Sequence, residues 1–406
     1  MIFAEAVTLA HVARPIALSR ILRDLGHDVC IAAAPSADRW LEGEDVSRER
    51  IESIDSQRFL RALARGSPPY DTATFIRYVE DDLRAIRAWR PDIVIGDFRL
   101  SLYISARLAG KPYGAIANAY WSRTYWQGGA APPIAPFTWF PRSLASNLFD
   151  AIRPAAFAFH ALPFHRACRH FGVPSPGLDL RDVYTASNVT AFADVRELYE
   201  PRSTGAAESQ AHFVGPLAWY PAGISTLPSF PPGAPIVFVS LGSSGTKRAL
   251  SSVLDAISGI SVRCIVATAG LLEPSEVRTN CLWSSNYVPY AIGCKAASLV
   301  ICNGGAPATY AAIEGGLPVL AIPQNLDQVL NMVNLQRARD GRAIQIRATG
   351  AAPIRAAIQA LLAKPQPVKT RCGHDEGQLR GDDQAVRHWV ASLTKQDPRH
   401  LARRVE

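Results

Sequence analysis

Short apolar runs alternate with longer segments of helical periodicity along the whole chain. Residues 1–7 and 93–96 are apolar runs of strand length, and residues 71–90 between them have the spacing of a helix. Residues 237–241 and 299–301 are further apolar runs in the second half. Strands that alternate with helices in this way predict βαβ units and parallel sheets.

The chain is long enough for two such domains. Its 406 residues and 48% hydrophobic content supply apolar surface for two cores. Residues 222–235 are rich in proline and glycine and carry no charge, which favours a linker. We therefore predict an α/β fold of two Rossmann-like domains that face each other across a cleft. The predicted N-terminal domain spans residues 1–220, the linker 221–235, the C-terminal domain 236–380, and a C-terminal helix and tail 381–406.

The most informative segment follows the apolar run 299–301. It continues through Asn303, Gly304 and Gly305 into residues 306–314, which predict a helix whose free N–H groups point back over this turn. A phosphate group would be stabilised at that position. Residues 317–322 predict the next buried strand, and an Asp-Gln pair follows at the sheet edge where open α/β folds bind ligands.

This segment resembles the donor-site signature of nucleotide-sugar glycosyltransferases with the GT-B fold, which include plant, antibiotic and glycolipid enzymes. Residues 303–305 stand where the family has His-Gly-Gly, and residues 316–318 where it has Gly-Val-Pro. Residues 8–15 and 26–29 are similar to the family's His-x-x-Pro opening and Gly-His-x-Val motif, although Pro15 lies one residue late. The resemblance implies an N-terminal acceptor-binding domain and a C-terminal nucleotide-sugar-binding domain, with the C-terminal helix packed back on the former.

The resemblance also implies a set of donor-binding residues in the C-terminal domain. They come from the loop after its first strand, the segment that holds the base, the glycine turn and the Asp-Gln pair: Gly242, Ser243, Ser244, Tyr287, Val288, Asn303, Gly304, Gly305, Ala306, Thr309, Asp327 and Gln328. Asp327 and Gln328 are expected to bind sugar hydroxyls, because a carboxylate accepts hydrogen bonds and an amide both donates and accepts them.

Departures from the family pattern concentrate at the diphosphate. Asn303 can donate a hydrogen bond but adds no positive charge to the leaving group. Pro307 removes one N–H, and Ala308 removes a hydroxyl for which Thr309 could substitute. Ala311 stands where many family members carry a glutamate for the ribose hydroxyls. Because thymidine has no 2′-hydroxyl, we favour a dTDP-sugar over a UDP-sugar.

Sugar transfer to a hydroxyl needs a base for the acceptor proton. His11 follows the first strand, in a loop that we place before a helix starting near Pro15, and imidazole accepts protons at neutral pH. Asp97 follows residues 93–96 at the same sheet edge, where it could bind His11 Nδ1 and fix the tautomer. The resemblance implies this His–Asp dyad. Position alone is also compatible with packing or helix capping at both residues.

Aromatic residues crowd the stretch from 113 to 164. Part of this stretch must be core. The resemblance implies that it also forms the acceptor pocket, with Tyr120, Trp121, Trp126 and Phe137 as acceptor-binding residues, and the large apolar groups favour a lipophilic small molecule or a lipid.

No metal site or disulfide is predicted. His160, His165 and His170 recur at intervals of five, which does not place three imidazoles on one helix face. The seven cysteines lack C-x-x-C spacing and are typical of reduced thiols in a cytoplasmic protein: Cys30, Cys168, Cys264, Cys281, Cys294, Cys302 and Cys372.

The charge and hydropathy of the chain indicate whether nucleic acids or membranes are expected partners. The net charge of +8 is spread along the chain and interleaved with acids, so we predict no nucleic-acid partner. Only residues 395–404 are locally basic, which leaves weak peripheral association with anionic membranes open. Residues 1–7 lack a basic start and are interpreted as a strand rather than a signal peptide, and no apolar run reaches the roughly 20 residues of a membrane span.

The sequence thus predicts an inverting, metal-independent glycosyltransferase that uses a nucleotide-diphosphate sugar as co-substrate and no other cofactor. The alternative is a glycosyltransferase-like auxiliary or binding protein whose diphosphate site is impaired by the substitutions at Asn303, Pro307, Ala308 and Ala311.

Overall fold

The computed structural model describes residues 1–199, 211–219, 227–277, 280–338, 341–347, 350–364 and 381–395. Their contacts divide the chain into two compact units. The described part of unit 1 comprises residues 1–128, 147–199, 211–219 and 381–395, and that of unit 2 comprises residues 129–146 and the described residues between 227 and 364. Part of the predicted linker, Cys372 and most of the basic tail lie outside the described residues.

Unit 1 is built on a parallel sheet. Its strands are β1 (Ile2–Ala4), β2 (Cys30–Ala33), β3 (Ser47–Arg50), β4 (Val94–Asp97), β5 (Tyr113–Ala117), β6 (Val189–Phe192) and β7 (His212–Phe213). Among the described residues they are ordered β3-β2-β1-β4-β5-β6-β7, and all paired neighbours are parallel. The order reverses direction between β1 and β4, which makes this pair the topological switch point.

Helices cover both faces of this sheet. They are α1 (Ala10–Asp24), α2 (Asp38–Leu41), α3 (Ser56–Arg65), α4 (Thr72–Trp89), α5 (Leu102–Leu108), α6 (Arg142–His170) and α7 (Leu180–Tyr184). Because side chains alternate along a strand, Ile2 and Ala4 lie in one core cluster with α1, while Phe3 lies in the other with residues of α4, α5 and α6.

Unit 2 repeats the same plan. Its strands are β8 (Ile236–Ser240), β9 (Arg263–Ala267), β10 (Cys281–Ser285), β11 (Leu299–Cys302), β12 (Val319–Ala321) and β13 (Ala343–Gln345). Its helices are α8 (Lys247–Ser258), α9 (Tyr290–Ala296), α10 (Ala306–Glu314), α11 (Leu326–Ala338) and α12 (Ala351–Leu362). The described strands form a parallel sheet of order β10-β9-β8-β11-β12-β13, with the switch point between β8 and β11.

The last described helix, α13 (Asp383–Thr394), packs on unit 1. Trp389 is fully buried in the same cluster as α1 residues, and its indole N–H donates to the Val189 carbonyl at 3.1 Å. A Cβ added at Gly114 would lie 2.7 Å from the Trp389 ring, so this glycine makes room for the indole.

Residues 129–146 group with unit 2, although the predicted boundary places them in the N-terminal domain. The reason is visible at Arg347, whose guanidinium donates to the carbonyls of Phe137, Thr138 and Phe140 at 3.2, 3.1 and 2.7 Å. These three hydrogen bonds tie the segment to the residues that follow β13.

The predicted position of His11 needs correction. It lies in the first turn of α1, which begins at Ala10 and contains Pro15 in its interior, and not in a loop before the helix. Pro15 has no N–H to donate to the His11 carbonyl, but a proline near the start of a helix leaves the following turns intact.

Candidate active site

His11 and Asp97 meet at the switch point of the first sheet. Strand β1 leads into α1, and β4 ends at Asp97, which pairs in register with Ala4. His11 Nδ1 lies 2.8 Å from Asp97 Oδ1. The carboxylate is fully buried, whereas 17% of the His11 side chain is exposed. The two predicted residues are therefore brought together, with the imidazole being the more accessible partner.

Arg14 is a third residue of this polar cluster, and it was not predicted from the sequence. One nitrogen of its guanidinium donates to Asp97 Oδ1 at 2.7 Å and lies 3.1 Å from His11 Nδ1. Burial alone would lower the pKa of Arg14, but the attraction of Asp97 and the hydrogen bond to it outweigh burial and raise the pKa. The guanidinium thus stays charged beside the ring. Its position one helical turn after His11 is the signal that could have identified it.

The arrangement restricts the tautomer of His11. A guanidinium only donates hydrogen bonds, so its contact with Nδ1 is a hydrogen bond only when Nδ1 carries no proton. A proton on Nδ1 instead allows the 2.8 Å bond to Asp97 and leaves Nε2 free to accept a proton. The shorter distance favours this second state.

A polar chain continues from Arg14 into unit 1. Its other terminal nitrogen donates to Asn118 Oδ1 at 2.9 Å, and Asn118 donates to Asp194 Oδ1 at 2.8 Å. The second oxygen of Asp194 accepts the backbone N–H of Ala119 at 2.6 Å. Asn118 and Asp194 follow β5 and β6, so the chain runs along the carboxyl edge of the sheet.

Phe98 packs against the face of the His11 imidazole ring. Its ring stacks on His11 with centroids 4.7 Å apart and an interplanar angle of 12°. Phe98 has a φ of 57°, an unusual value for a residue with a side chain. The turn after β4 therefore places both the carboxylate that binds Nδ1 and the ring that stacks on the imidazole.

Three predicted donor-site residues meet around one hydroxyl in unit 2. Ser244 Oγ accepts hydrogen bonds from Asn303 Nδ2 at 3.0 Å and from Gln328 Nε2 at 2.8 Å. These residues follow β8, β11 and β12, so the cluster lies at the carboxyl edge of the second sheet, next to its switch point. Asn303 also accepts the N–H of Gly305 at 2.9 Å, which fixes the turn before α10.

At two positions of this region, the backbone conformation and the close neighbours require glycine. Gly242 has a φ of 62° and Gly304 a φ of 84°. A Cβ at Gly304 would approach Met332 to 2.8 Å, and one at Gly242 would lie 3.1 Å from Asn303 Nδ2. Side chains at either position would disturb the turn that carries Asn303.

The predicted donor contact of Thr309 needs correction. Thr309 is fully buried, its hydroxyl lies 3.1 Å from the carbonyls of Gly305 and Ala306, and it accepts from Asn331 at 2.9 Å. The hydroxyl is therefore committed to the protein and does not replace the one missing at Ala308.

The remaining predicted donor residues differ in exposure. Ser243 is exposed, while Gly305, Ala306, Tyr287 and Asp327 are half-buried. Val288 is buried, which leaves its backbone as the group that could face a base. Gln328 is also buried, and its Oε1 accepts the Gln324 N–H at 2.7 Å. Asp327 is accordingly the more accessible member of the Asp-Gln pair.

The predicted acceptor residues are all buried aromatic side chains, but they do not form one group. Trp121 packs on Trp126 and, at 4.8 Å, on Tyr184, and Tyr120 stacks on Tyr199. These contacts lie in unit 1. Phe137 belongs to unit 2 and is held there by Arg347.

Within the described ranges, no group of three or more His, Cys, Asp or Glu side chains is placed to hold a metal ion. Of the helices described here, none has the length and apolarity to cross a membrane. The cysteines in the same ranges are free thiols.

Known structures share this architecture over nearly the whole chain. A glycosyltransferase of kitacinnamycin superposes with a TM-score of 0.63 at 18% identity, covering 99% of this chain and 96% of that one. The spinosyn rhamnosyltransferase complexed with thymidine diphosphate gives a TM-score of 0.57 at 18% identity, covering 99% and 98%. The predicted fold class is therefore confirmed, and the two parallel α/β units define a protein of the GT-B fold.

Proteins of similar sequence show which family within this fold class the chain belongs to. A PGL/p-HBAD biosynthesis glycosyltransferase of Mycobacterium tuberculosis is 35% identical over 364 residues, covering 88% of this chain and 83% of the relative. A PGL/p-HBAD biosynthesis rhamnosyltransferase of Mycobacterium bovis is 38% identical over 340 residues, covering 83% and 75%. No protein-family model matches the chain. The chain belongs to the family of the PGL/p-HBAD biosynthesis glycosyltransferases.

A further relative is named as inactive. This PGL/p-HBAD biosynthesis glycosyltransferase of Mycobacterium bovis is 36% identical over 258 residues, covering 62% of this chain and 69% of the relative.

Proposed function

We propose that the protein transfers a hexose or deoxyhexose from a dTDP-sugar to a hydroxyl of a lipophilic acceptor, with inversion at the anomeric carbon. The observation that carries this proposal is the 2.8 Å contact between His11 Nδ1 and the buried Asp97 carboxylate. An imidazole held in this way presents Nε2 as a proton acceptor, which is what a hydroxyl nucleophile needs.

In the proposed step, the acceptor oxygen attacks the anomeric carbon while His11 Nε2 takes its proton. The bond between the anomeric carbon and the diphosphate oxygen breaks, and its electron pair leaves with the nucleoside diphosphate. Asp97 stabilises the imidazolium that forms. Attack on the face opposite the leaving group inverts the anomeric configuration.

The diphosphate would bind where the loop after β8 and the start of α10 carry free backbone N–H groups. Asn303 is placed by Ser244 and Gly305 and would donate a neutral hydrogen bond there. Asp327, half-buried at the start of α11, would bind sugar hydroxyls. Tyr287 and Val288 would hold the base.

Thymidine is the preferred nucleoside in this proposal. Ala311 is buried in α10 and offers no carboxylate to a ribose 2′-hydroxyl. The spinosyn rhamnosyltransferase of the same fold binds thymidine diphosphate, which supports the same choice here.

The acceptor is proposed to be of the class for which the relatives are named, PGL/p-HBAD intermediates. The aromatic side chains of Tyr120, Trp121 and Trp126 lie in unit 1, the unit that also carries His11. Large aromatic groups in the unit that carries His11 suit a lipophilic acceptor.

A second candidate is a protein of this family that has lost transfer, because one relative is named inactive. The substitution of the family's histidine by Asn303 would favour this alternative. The intact contact between His11 and Asp97 argues against it.

The test is turnover of a panel of dTDP- and UDP-sugars, including dTDP-rhamnose, with pooled lipophilic alcohols and phenols. We expect acceptor-dependent release of thymidine diphosphate, a lower KM for dTDP-sugars than for UDP-sugars, and product of inverted configuration by NMR. Preference for UDP-sugars would overturn the donor assignment, and retained configuration would overturn the mechanism. Donor binding without any transfer would instead support the second candidate.

A further inference from the structure

Helix α6 is apolar around most of its circumference, yet unit 1 covers only one of its sides. Ala161, Phe164 and Cys168 point into the core of unit 1 and are fully buried. A helix that is apolar on all sides is typical of a protein interior, where neighbours cover every side. The opposite side of α6 is open to solvent.

The open side carries a continuous row of apolar residues, here called the apolar stripe. It consists of Leu148, Ile152, Ala155, Phe159 and Leu162, all exposed, with 58% of Phe159 accessible. The intervals of four and three residues place all five on one face of the helix. Clusters of large exposed apolar side chains on a folded protein mark a binding surface.

Positive charge lies around this stripe. Arg166 is exposed at the next position of the same row, and Arg169 is exposed on the following turn. Over its whole length α6 contains four arginines and a single aspartate, Asp150. The surface therefore combines apolar side chains with cationic groups at one end.

A second basic element lies beside the middle of α6. His160 Nε2 donates to the carbonyl of Gly66 at 3.1 Å, which fixes the end of α3 against α6. Helix α3 contains three arginines and no acid, and both Arg61 and Arg65 are exposed. Exposed arginines thus lie on α3 as well as at the end of the stripe.

We propose that the apolar stripe docks unit 1 onto the surface of a lipid bilayer with anionic headgroups. Leu148, Ile152, Phe159 and Leu162 enter the interfacial region, and the arginines of α3 and α6 lie among the headgroups. A second copy of the chain is a poorer occupant, because its α3 and α6 would offer these arginines almost no acids to pair with. The apolar stripe is separate from the basic residues 395–404 at the C-terminus. The proposal does not depend on the proposed function.

The experiment is vesicle flotation of the full chain at low salt. We expect it to float with phosphatidylcholine vesicles containing 30% phosphatidylglycerol and to remain mostly unbound with phosphatidylcholine alone. Ile152→Glu with Phe159→Glu should reduce the partition coefficient more than about tenfold, since two apolar groups no longer enter the interface. Arg166→Glu with Arg169→Glu should reduce it by at least about fivefold for each arginine.

The matched control is Leu178→Glu, which changes an equally large side chain that is 76% exposed in unit 1 but lies outside α6. It should float like the wild type, and all variants should keep the wild-type melting temperature. Failure of the wild type to float with the anionic vesicles would overturn the proposal, as would unchanged flotation of the stripe variant. If the stripe variant instead turned a dimer into a monomer or lowered the melting temperature without any vesicle binding, the stripe would be covered by a second copy or by this chain itself.

Discussion

Arg14 changes how His11 and Asp97 work together. In a simple dyad the carboxylate charge serves the imidazole alone, but here Asp97 Oδ1 is shared between Nδ1 of His11 and the guanidinium. The charged arginine, 3.1 Å from Nδ1, opposes the positive charge that His11 would gain on accepting a proton. Arg14 therefore shares the Asp97 carboxylate with His11 and restricts how the imidazole can be oriented.

Replacing Arg14 by methionine should lower kcat/KM by about tenfold, because Asp97 loses a charged hydrogen-bond donor and the pair is held less firmly. Arg14→Lys retains a charged donor beside Asp97 and should keep kcat/KM closer to the wild-type value. Arg20→Met, which removes an exposed arginine from the same helix, is the control for general effects. An unchanged kcat/KM in the methionine variant would show that Arg14 does not help to position His11 and Asp97.

At the scale of elements, the sequence predicted the regular segments well. The predicted helix 306–314 matches α10, and the strand predicted at 299–301 is β11 with one more residue. These apolar runs end at a glycine or an acid, so the sequence leaves little freedom in where the strands and helices of these βαβ units begin and end.

The hydrogen-bonded chain of Arg14, Asn118 and Asp194 could not be predicted from the sequence, because it joins three segments that lie far apart along the chain. The same holds for residues 129–146, which Arg347 binds to unit 2.

A buried ionic cluster joins β1, α4 and the turn before α5. Arg99 donates to Glu5 and to Asp82 at 2.9 Å each, and all three side chains are fully buried. Burial raises the pKa of Glu5, and this effect is larger than the lowering of the pKa by Arg99 and Tyr78. Burial raises the pKa of Asp82 as well. The folded state therefore binds protons at these carboxyls more tightly than the unfolded state.

The sign of the pH dependence follows from this. The stability contributed by protonated Glu5 is fully present below its ordinary pKa of 4.5 and is lost as the pH rises through the higher pKa of the folded state. Glu5→Gln removes this titration, so its unfolding free energy relative to wild type should increase with pH over that window, by up to about 1.4 kcal/mol per pH unit. Urea unfolding at several pH values measures this. Glu80→Gln, an exposed carboxylate on α4, should run parallel to wild type, and parallel behaviour of the Glu5 variant would refute the account.

The C-terminal helix α13 should contribute strongly to the stability of unit 1. Trp389→Ala removes a fully buried indole and its bond to the Val189 carbonyl, and we expect a loss of about 3–5 kcal/mol in unfolding free energy. Arg387→Ala, on the exposed side of the same helix, should change the stability little. Equal stability of the two variants in urea unfolding would show that the packing of α13 contributes little.

At the scale of the whole molecule, the two units divide the chemistry. Unit 1 carries His11, the proposed proton acceptor, and the residues that contact it, and unit 2 carries the polar cluster of Ser244, Asn303 and Gln328. Each group lies at the switch point of its own parallel sheet, the position where such folds bind ligands. The proposed function therefore makes a separable prediction: loss of the base should stop transfer without weakening the binding of the nucleotide.

The most direct test compares wild type and His11→Ala in one assay of nucleoside diphosphate release and one of thymidine diphosphate binding. We expect acceptor-dependent release to fall by about 10²–10⁴-fold in the variant while the Kd for thymidine diphosphate stays within about twofold. Release by the variant within a few-fold of wild type would contradict it, because another group would then have to take the acceptor proton.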